Sequence, residues 1–408
     1  MTTTYEPIAA PSKYVPDLLP PDLPDSQCEA DIATIPLAQE PHLPAWQPDI
    51  PQPYLQMSPD ELRQRIAAAK ATLGSRLVVL GHHYQRDDVI EFADFRGDSF
   101  KLAREAAART DADFIVFCGV HFMAESADIL TRPNQIVVLP NLAAGCSMAD
   151  MARPNDVYAA WDELTEVVAA ESVIPVTYMN SAASLKAFVG EHGGAVCTSS
   201  NAQAVLEWAL ERAERVLFFP DQHLGRNSAK KLGVDVTTET AVWNPRRPLG
   251  GLQPGRIKDS KVLLWQGHCS VHVRFTVKQI ENARREHPGC RVVVHPECPE
   301  PVVDAADANG STEFIINYVK SGPPGVYAIG TEINLVHRLN EEIQDEGKTA
   351  FCLDPVVCPC ATMYRIHPAY VAWVTESLLA GNPVNRITVD AETRRWATVA
   401  LERMLEIT

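Results

Sequence analysis

Leu77-Val78-Val79-Leu80-Gly81-His82-His83-Tyr84 decides the fold. A short unbroken apolar run ends in a glycine and then in a cluster of polar, titratable side chains. A strand buried on both faces reads as a continuous run, whereas one wetted on a single face alternates. A helical pattern follows at 100–109, and the next apolar run stands at 114–117. Further runs lie at 136–139, 174–178, 216–219, 261–265, 292–295 and 327–329, with helical patterns at 202–213, 276–286 and 313–320 between some of them. Strands alternating with helices predict an α/β protein whose parallel sheets are covered on both faces. No G-x-G-x-x-G follows the first run, so this is not an ordinary dinucleotide-binding unit. About eight strands fit one wide sheet or several small α/β domains equally well.

Outward from this core, Ser58-Pro59-Asp60-Glu61 carries the cap, the first-turn proline and the reciprocal glutamate of a capping box. Leu62, Ile66 and Leu73 continue it as an apolar helical face closed by Gly74. Upstream, residues 1–55 hold 12 of the 31 prolines. That density disfavours regular helix and central strand, so residues 1–57 read as an extended arm and 58–408 as the folded body. The stretch 237–255, with Trp243-Asn244-Pro245-Arg246-Arg247-Pro248, breaks the alternation and reads as a loop insertion or lid.

The 408 residues are 46% apolar and 22% charged, ordinary for a globular protein, and the net charge of −16 argues against a nucleic-acid partner. No run approaches a membrane span, and the N-terminus has no basic region followed by an apolar one; both predict a cytoplasmic protein. Ten cysteines are too few for a disulfide scaffold and fit a reducing compartment.

Several runs end in polar clusters that open onto helices: Gly97-Asp98-Ser99, Tyr178-Met179-Asn180-Ser181, Cys197-Thr198-Ser199-Ser200-Asn201 and Gly310-Ser311-Thr312. Each such residue taken alone is an expected helix cap. Together they place free N–H groups and favourable dipoles beside the carboxyl ends of parallel strands, where ligands of open α/β sheets bind. With His82, Tyr84, Tyr178, His295 and Glu297 also at strand ends, the pattern points to a site for a small polyanion bearing carboxylates or phosphate. Cys146, Cys269 and Cys360 occupy strand-end or loop positions from which thiols could share a cavity. Cys118 and Cys352 sit in apolar runs and read as core, and Cys290 reads as structural. No pair of cysteines has the compact spacing of a zinc or ferredoxin site.

Eleven blocks in order resemble the quinolinate synthase family. Among them are Gly81-His82-His83-Tyr84-Gln85, Gly145-Cys146-Ser147-Met148-Ala149-Asp150, Phe219-Pro220-Asp221-Gln222-His223-Leu224-Gly225, Gly267-His268-Cys269-Ser270-Val271-His272, His295-Pro296-Glu297-Cys298 and Cys360-Ala361-Thr362-Met363. The resemblance runs from about Ser58 to Arg365 and leaves out the arm and the 237–255 stretch. It implies three similar small α/β domains in pseudo-threefold arrangement, near 75–170, 171–265 and 266–365, with the terminal helices completing the first. It implies condensation of iminoaspartate with dihydroxyacetone phosphate to quinolinate, phosphate and water for NAD synthesis, with L-aspartate oxidase or aspartate dehydrogenase supplying the iminoaspartate. A [4Fe–4S] cluster on Cys146, Cys269 and Cys360 is implied as well, leaving one iron open as a Lewis acid. Glu297 is then the expected base, with Tyr84 and Tyr178 as proton-transfer partners and His295 and His272 beside them. His82, Ser99, Asn180, Ser199, Ser311 and Thr312 would hold carboxylates and phosphate, while His83 and His121 are expected to be structural.

Two other classes compete. An iron–sulfur sensor or electron-transfer protein would use four protein ligands and need no anion site, and a cluster-free enzyme on a phosphosugar would leave the cysteines as ordinary core.

Overall fold

The computed structural model describes residues 50–354, 356 and 359–407. The N-terminal arm up to residue 49 and Cys358 lie outside the described residues.

Three separate parallel sheets form, not one wide one. The first contains β1 (Leu77–His82), β2 (Phe95–Gly97), β3 (Phe114–Cys118) and β4 (Ile136–Val138). The second contains β5 (Val173–Tyr178), β6 (Ala195–Cys197), β7 (Arg215–Phe219), β8 (Thr240–Trp243) and β9 (Val262–Trp265). The third contains β10 (Arg291–Val294), β11 (Ala308–Asn309), β12 (Gly325–Gly330) and β13 (Lys348–Cys352), and β14 (Arg386–Ile387) returns to pair antiparallel with β4.

One topology is used three times. The orders β2-β1-β3-β4, β6-β5-β7-β9 and β11-β10-β12-β13 are the same four-strand pattern, with β14 and β8 as added edges on the first two sheets. All pairings other than β14 with β4 are parallel. The inner strands are buried nearly throughout, because helices cover both faces of each sheet. Repetition has a direct consequence for the site: equivalent strands deliver their C-terminal ends to equivalent places.

The helix Pro59–Leu73 begins in the expected capping box, and Leu62, Ile66 and Leu73 are buried. Three expectations need correcting. The proline-rich segment does contain helix, since Gln52–Gln56 forms one turn with proline in its first turn, where the missing N–H is harmless. Tyr54 in that turn donates to Glu376 at 2.5 Å, and Ile50 is buried, so the packed body begins before Ser58.

The 237–255 stretch is no lid. It contains the edge strand β8, held by pairing with β9 and by the fully buried Trp243. The helix Pro368–Leu379 packs on Pro59–Leu73 and on β3, completing the first unit, whereas the last helix, Ala391–Glu406, packs mainly on the helix Ala183–Glu191 of the second sheet. Gly190 permits this, because a Cβ there would lie 2.0 Å from the Trp396 carbonyl oxygen.

Candidate active site

The carboxyl ends of all three sheets meet at one cavity. Its lining repeats the topology. First strands supply His82 and Tyr84, Tyr178 and Asn180, then His295 and Glu297. Second strands lead into Asp98 and Ser99, Thr198 and Ser199, and Thr312. Fourth strands lead into Cys146, Cys269 and Cys360, so each sheet contributes one thiol.

These three are the half-buried cysteines among the described residues. Cys118, Cys197, Cys290, Cys298 and Cys352 are buried. Gly267 lets the Cys269 loop come this close, because a Cβ there would meet the Pro220 carbonyl oxygen at 2.3 Å. Burial pushes the Cys146 thiol up to about 12 and raises Cys269 and Cys360 as well. Thiols in such surroundings become thiolates when a cation binds them. Three converging thiols with no lysine or arginine among the lining residues therefore fit an iron–sulfur cluster by donor chemistry.

A hydrogen-bonded chain runs along one wall. His272 Nδ1 lies 2.6 Å from a Glu297 carboxylate oxygen, and His272 Nε2 lies 3.1 Å from Thr331 Oγ1. The Tyr84 hydroxyl is 2.8 Å from the same Thr331 oxygen. On the other side of the carboxylate, Tyr178 lies within hydrogen-bonding reach of both Glu297 and Ser199. His295 stacks on His272 with ring centroids 4.3 Å apart, and its Nδ1 accepts from the Glu297 backbone N–H at 3.3 Å. Asn227 donates to the carbonyls of Pro296 and Cys298, at 2.8 and 2.9 Å, and so clamps the backbone on both sides of Glu297.

The electrostatics separate two buried carboxyl groups. Burial works against ionisation of Glu297, but the two imidazoles beside it and hydrogen bonds from His272 and Tyr178 outweigh this and hold it below the ordinary carboxylate range. Asp221, after β7, is driven the other way by burial and then by the Glu297 charge. Environments that push neighbouring acids apart mark which is ionised and which holds its proton. Burial holds His295 at about 3 and lowers His82, and it raises Tyr84 and Tyr178 well above the ordinary phenol value.

Of the residues expected from sequence, every one lines the cavity except Ser311. The cap reading was misplaced for most of them. Asp98, not Ser99, caps its helix by accepting from the Lys101 N–H. The helices Ala183–Glu191 and Ala202–Leu210 have no side-chain cap at all. Only Ser311 behaves as a cap, its hydroxyl oxygen accepting from the Phe314 N–H. Ser99, Asn180, Ser199 and Thr312 thus keep their polar atoms for the cavity. Asn180 Oδ1 and Thr312 Oγ1 are buried without a partner, a costly state that a polar ligand relieves. His83 and His121 pair with Glu313 and Glu125.

Sequence reasoning overlooked the ends of the third strands. Asp221 follows β7 and Thr331-Glu332 follows β12, and the two acids cap the helices after them in the same way. Glu332 also accepts from the Cys360 backbone N–H at 3.2 Å. The signal was available, because each is a polar residue directly beyond an apolar run.

Comparison with known proteins bears on this cavity directly. A family model described as quinolinate synthetase A protein matches residues 64–406. The chain belongs to that family. It is 59% identical over 359 residues to the quinolinate synthase of Corynebacterium glutamicum, covering 88% of this chain and 90% of the relative. Identity is 56% over 361 residues to the Streptomyces coelicolor quinolinate synthase, covering 88% and 90%, and 54% over 369 residues to that of Rhodopirellula baltica, covering 87% and 93%. The family match begins beyond the proline-rich arm and takes in the whole cavity lining.

Proposed function

We infer that this chain is a quinolinate synthase, joining iminoaspartate to dihydroxyacetone phosphate to give quinolinate, phosphate and water. The observation that carries the reading is the meeting of three thiols, one per sheet, with the Glu297–His272 pair in a single cavity. Cys146, Cys269 and Cys360 would hold a [4Fe–4S] cluster. When bound, it supplies a Lewis-acidic iron that eases loss of a hydroxyl.

The remaining work falls to side chains. Ring formation needs protons taken from carbon beside a carbonyl, and Glu297 is the ionised base suited to it. Tyr178 and His272 share its negative charge and fix its orientation. His295, neutral and stacked on His272, fills the wall without adding charge. Thr312 and Ser99 offer hydroxyl donors to phosphate or carboxylate, with Ser199 and His82 in the same lining. Asn180 Oδ1 suits a substrate N–H or hydroxyl. Because the lining holds no lysine or arginine, these groups and the backbone N–H groups of the strand-to-helix turns balance substrate charge.

We read each sheet with its helices as one domain, bounded near residues 170 and 265, in a pseudo-threefold arrangement about the cavity. Among the described residues no helix is long and apolar enough to cross a membrane. A cytoplasmic setting agrees with the free cysteines. The imine substrate calls for a supplier that oxidises aspartate, such as an L-aspartate oxidase or an aspartate dehydrogenase.

The test is direct. Cluster-replete protein, supplied anaerobically with iminoaspartate and dihydroxyacetone phosphate, should release quinolinate and inorganic phosphate in equal amounts. No quinolinate from such a sample would sink the reading.

A further inference from the structure

We propose that Arg338 is a positioning residue of this site, its guanidinium holding the 82–85 turn against the third unit and so fixing where the Tyr84 hydroxyl meets the cavity. This rests on the proposed function, in which Tyr84 serves turnover.

By chain the turn belongs to the first sheet, since it leaves the end of β1. By contact it belongs to the third. The Gln85 N–H donates to the His82 carbonyl at 3.0 Å and closes the turn, and the next three carbonyls find no backbone partner within it. One helix of the third unit, Ile333–Ile343, captures all three. Arg338 donates through Nη2 to the His83 carbonyl and through Nη1 to the Gln85 carbonyl at 2.8 Å. Asn334 Nδ2 reaches the Tyr84 carbonyl between them at 3.4 Å. Backbone carbonyls held away from water require partners, and here a rigid helix provides them.

The Tyr84 side chain makes the same choice. Its hydroxyl lies 2.8 Å from Thr331 Oγ1, on the residue just beyond β12. Main chain and side chain of Tyr84 are thus both registered on the unit that supplies Glu297. The Tyr84 N–H also donates to His82 Nδ1 at 3.1 Å, so the captured backbone steadies the His82 ring as well.

Only an arginine suits this position. Two carbonyls two residues apart need two N–H groups in one fixed fork, whereas a lysine ammonium is a compact charge on a flexible stem. The guanidinium keeps its charge throughout the assay range, so the role does not turn on any titration. Arg338 Nη1 also meets Asp87 Oδ1 at 2.6 Å, but the Asp87 side chain is 55% exposed and such a pair contributes little. The carbonyl bonds therefore carry the effect. Without them the turn is free to follow the first sheet, and a displacement of about 1 Å at a reacting group costs turnover heavily.

Arg338→Met removes the fork and keeps the stem, while Arg338→Lys keeps the charge and loses the fork. On anaerobic holoenzymes of equal iron content, Arg338→Met should lower kcat about tenfold to a hundredfold with KM for both substrates within about threefold. Arg338→Lys should fall within about threefold of the methionine variant. Asp87→Asn removes the ion pair but leaves the carbonyl bonds, and should stay within about threefold of the parent. Combining Arg338→Met with Tyr84→Phe should cost no more than about threefold beyond Tyr84→Phe alone, because both act on the same oxygen. Should Arg338→Met not accumulate as folded protein, Arg338→Lys carries the comparison. Unchanged kcat, a loss confined to KM, a lysine variant as active as the parent, an Asp87→Asn enzyme as slow as Arg338→Met, or additive losses in the double variant would each overturn the assignment. A parent enzyme that makes no quinolinate would instead defeat the functional reading on which it rests.

Discussion

His272 and Glu297, both almost fully buried, face each other across 2.6 Å between an imidazole nitrogen and a carboxylate oxygen. The pair keeps an ionised carboxylate inside a cavity that would otherwise neutralise it. Replacing Glu297 by Gln keeps the shape and removes the base. Quinolinate formation should drop by about a hundredfold to ten-thousandfold while the iron content stays at the parent level. A variant that turns over normally would remove Glu297 from the chemistry.

Cysteine variants separate the cluster from the core. Cys269→Ala should purify with little iron and no brown colour, because one of three thiolate ligands is gone. Cys118, buried in β3, should tolerate Ala with the iron content unchanged. Iron and sulfide analysis of anaerobically purified protein decides between them, and equal iron in both variants would refute this ligand set.

A pH effect should arise where the first and third units touch. Glu313 Oε1 lies 2.9 Å from His83 Nε2 and 3.2 Å from Lys101 Nζ. The hydrogen bond from His83, followed by the His83 and Lys101 charges, outweighs burial and draws the carboxyl from 4.5 down to about 2. A depressed carboxyl stabilises the fold fully above its unfolded value and loses that contribution as pH falls through the folded one. Relative to Glu313→Gln, the parent should therefore be more stable at pH 6, by about 1 kcal/mol after allowance for solvent screening, with the advantage fading between pH 4.5 and 2. Urea titrations at several pH values measure this, and parallel curves across that range would contradict it.

The docking of the last helix should be sensitive to one methyl group. Gly190→Ala places a Cβ against the Trp396 carbonyl oxygen and must force the two helices apart. A loss of about 1–3 kcal/mol is expected, read as a lower denaturant midpoint with little change in slope. An unchanged midpoint would mean that the helices slide without cost.

The strands that sequence revealed and those it hid divide along a physical line. The eight apolar runs are β1, β3, β4, β5, β7, β9, β10 and β12, each flanked by a strand on both sides. The six strands outside those eight runs, β2, β6, β8, β11, β13 and β14, are the edges of the three sheets. An inner strand is apolar on both faces, whereas an edge is short or carries charge, as Arg96, Lys348 and Arg386 do here. The same logic explains the site. First-strand ends held conspicuous His, Tyr and Glu side chains and were legible. Thr331 stands just beyond an apolar run and so offered a local signal, but its contact with Tyr84, 247 residues away, left none. The misplaced caps have a local cause: Asp98 and Ser99 are equally plausible caps on paper, and only backbone geometry chooses Asp98.

The absence of lysine and arginine from the cavity lining has a kinetic meaning. A cleft rich in ammonium groups draws anions from a distance, and added salt slows their capture. Here the neutralising groups act only on contact, and the surrounding chain carries a net charge of −16. Doubly charged substrates must approach against a repulsive field before any of those groups can help. Added salt should therefore quicken their arrival, the opposite of the usual pattern for an enzyme that binds phosphate.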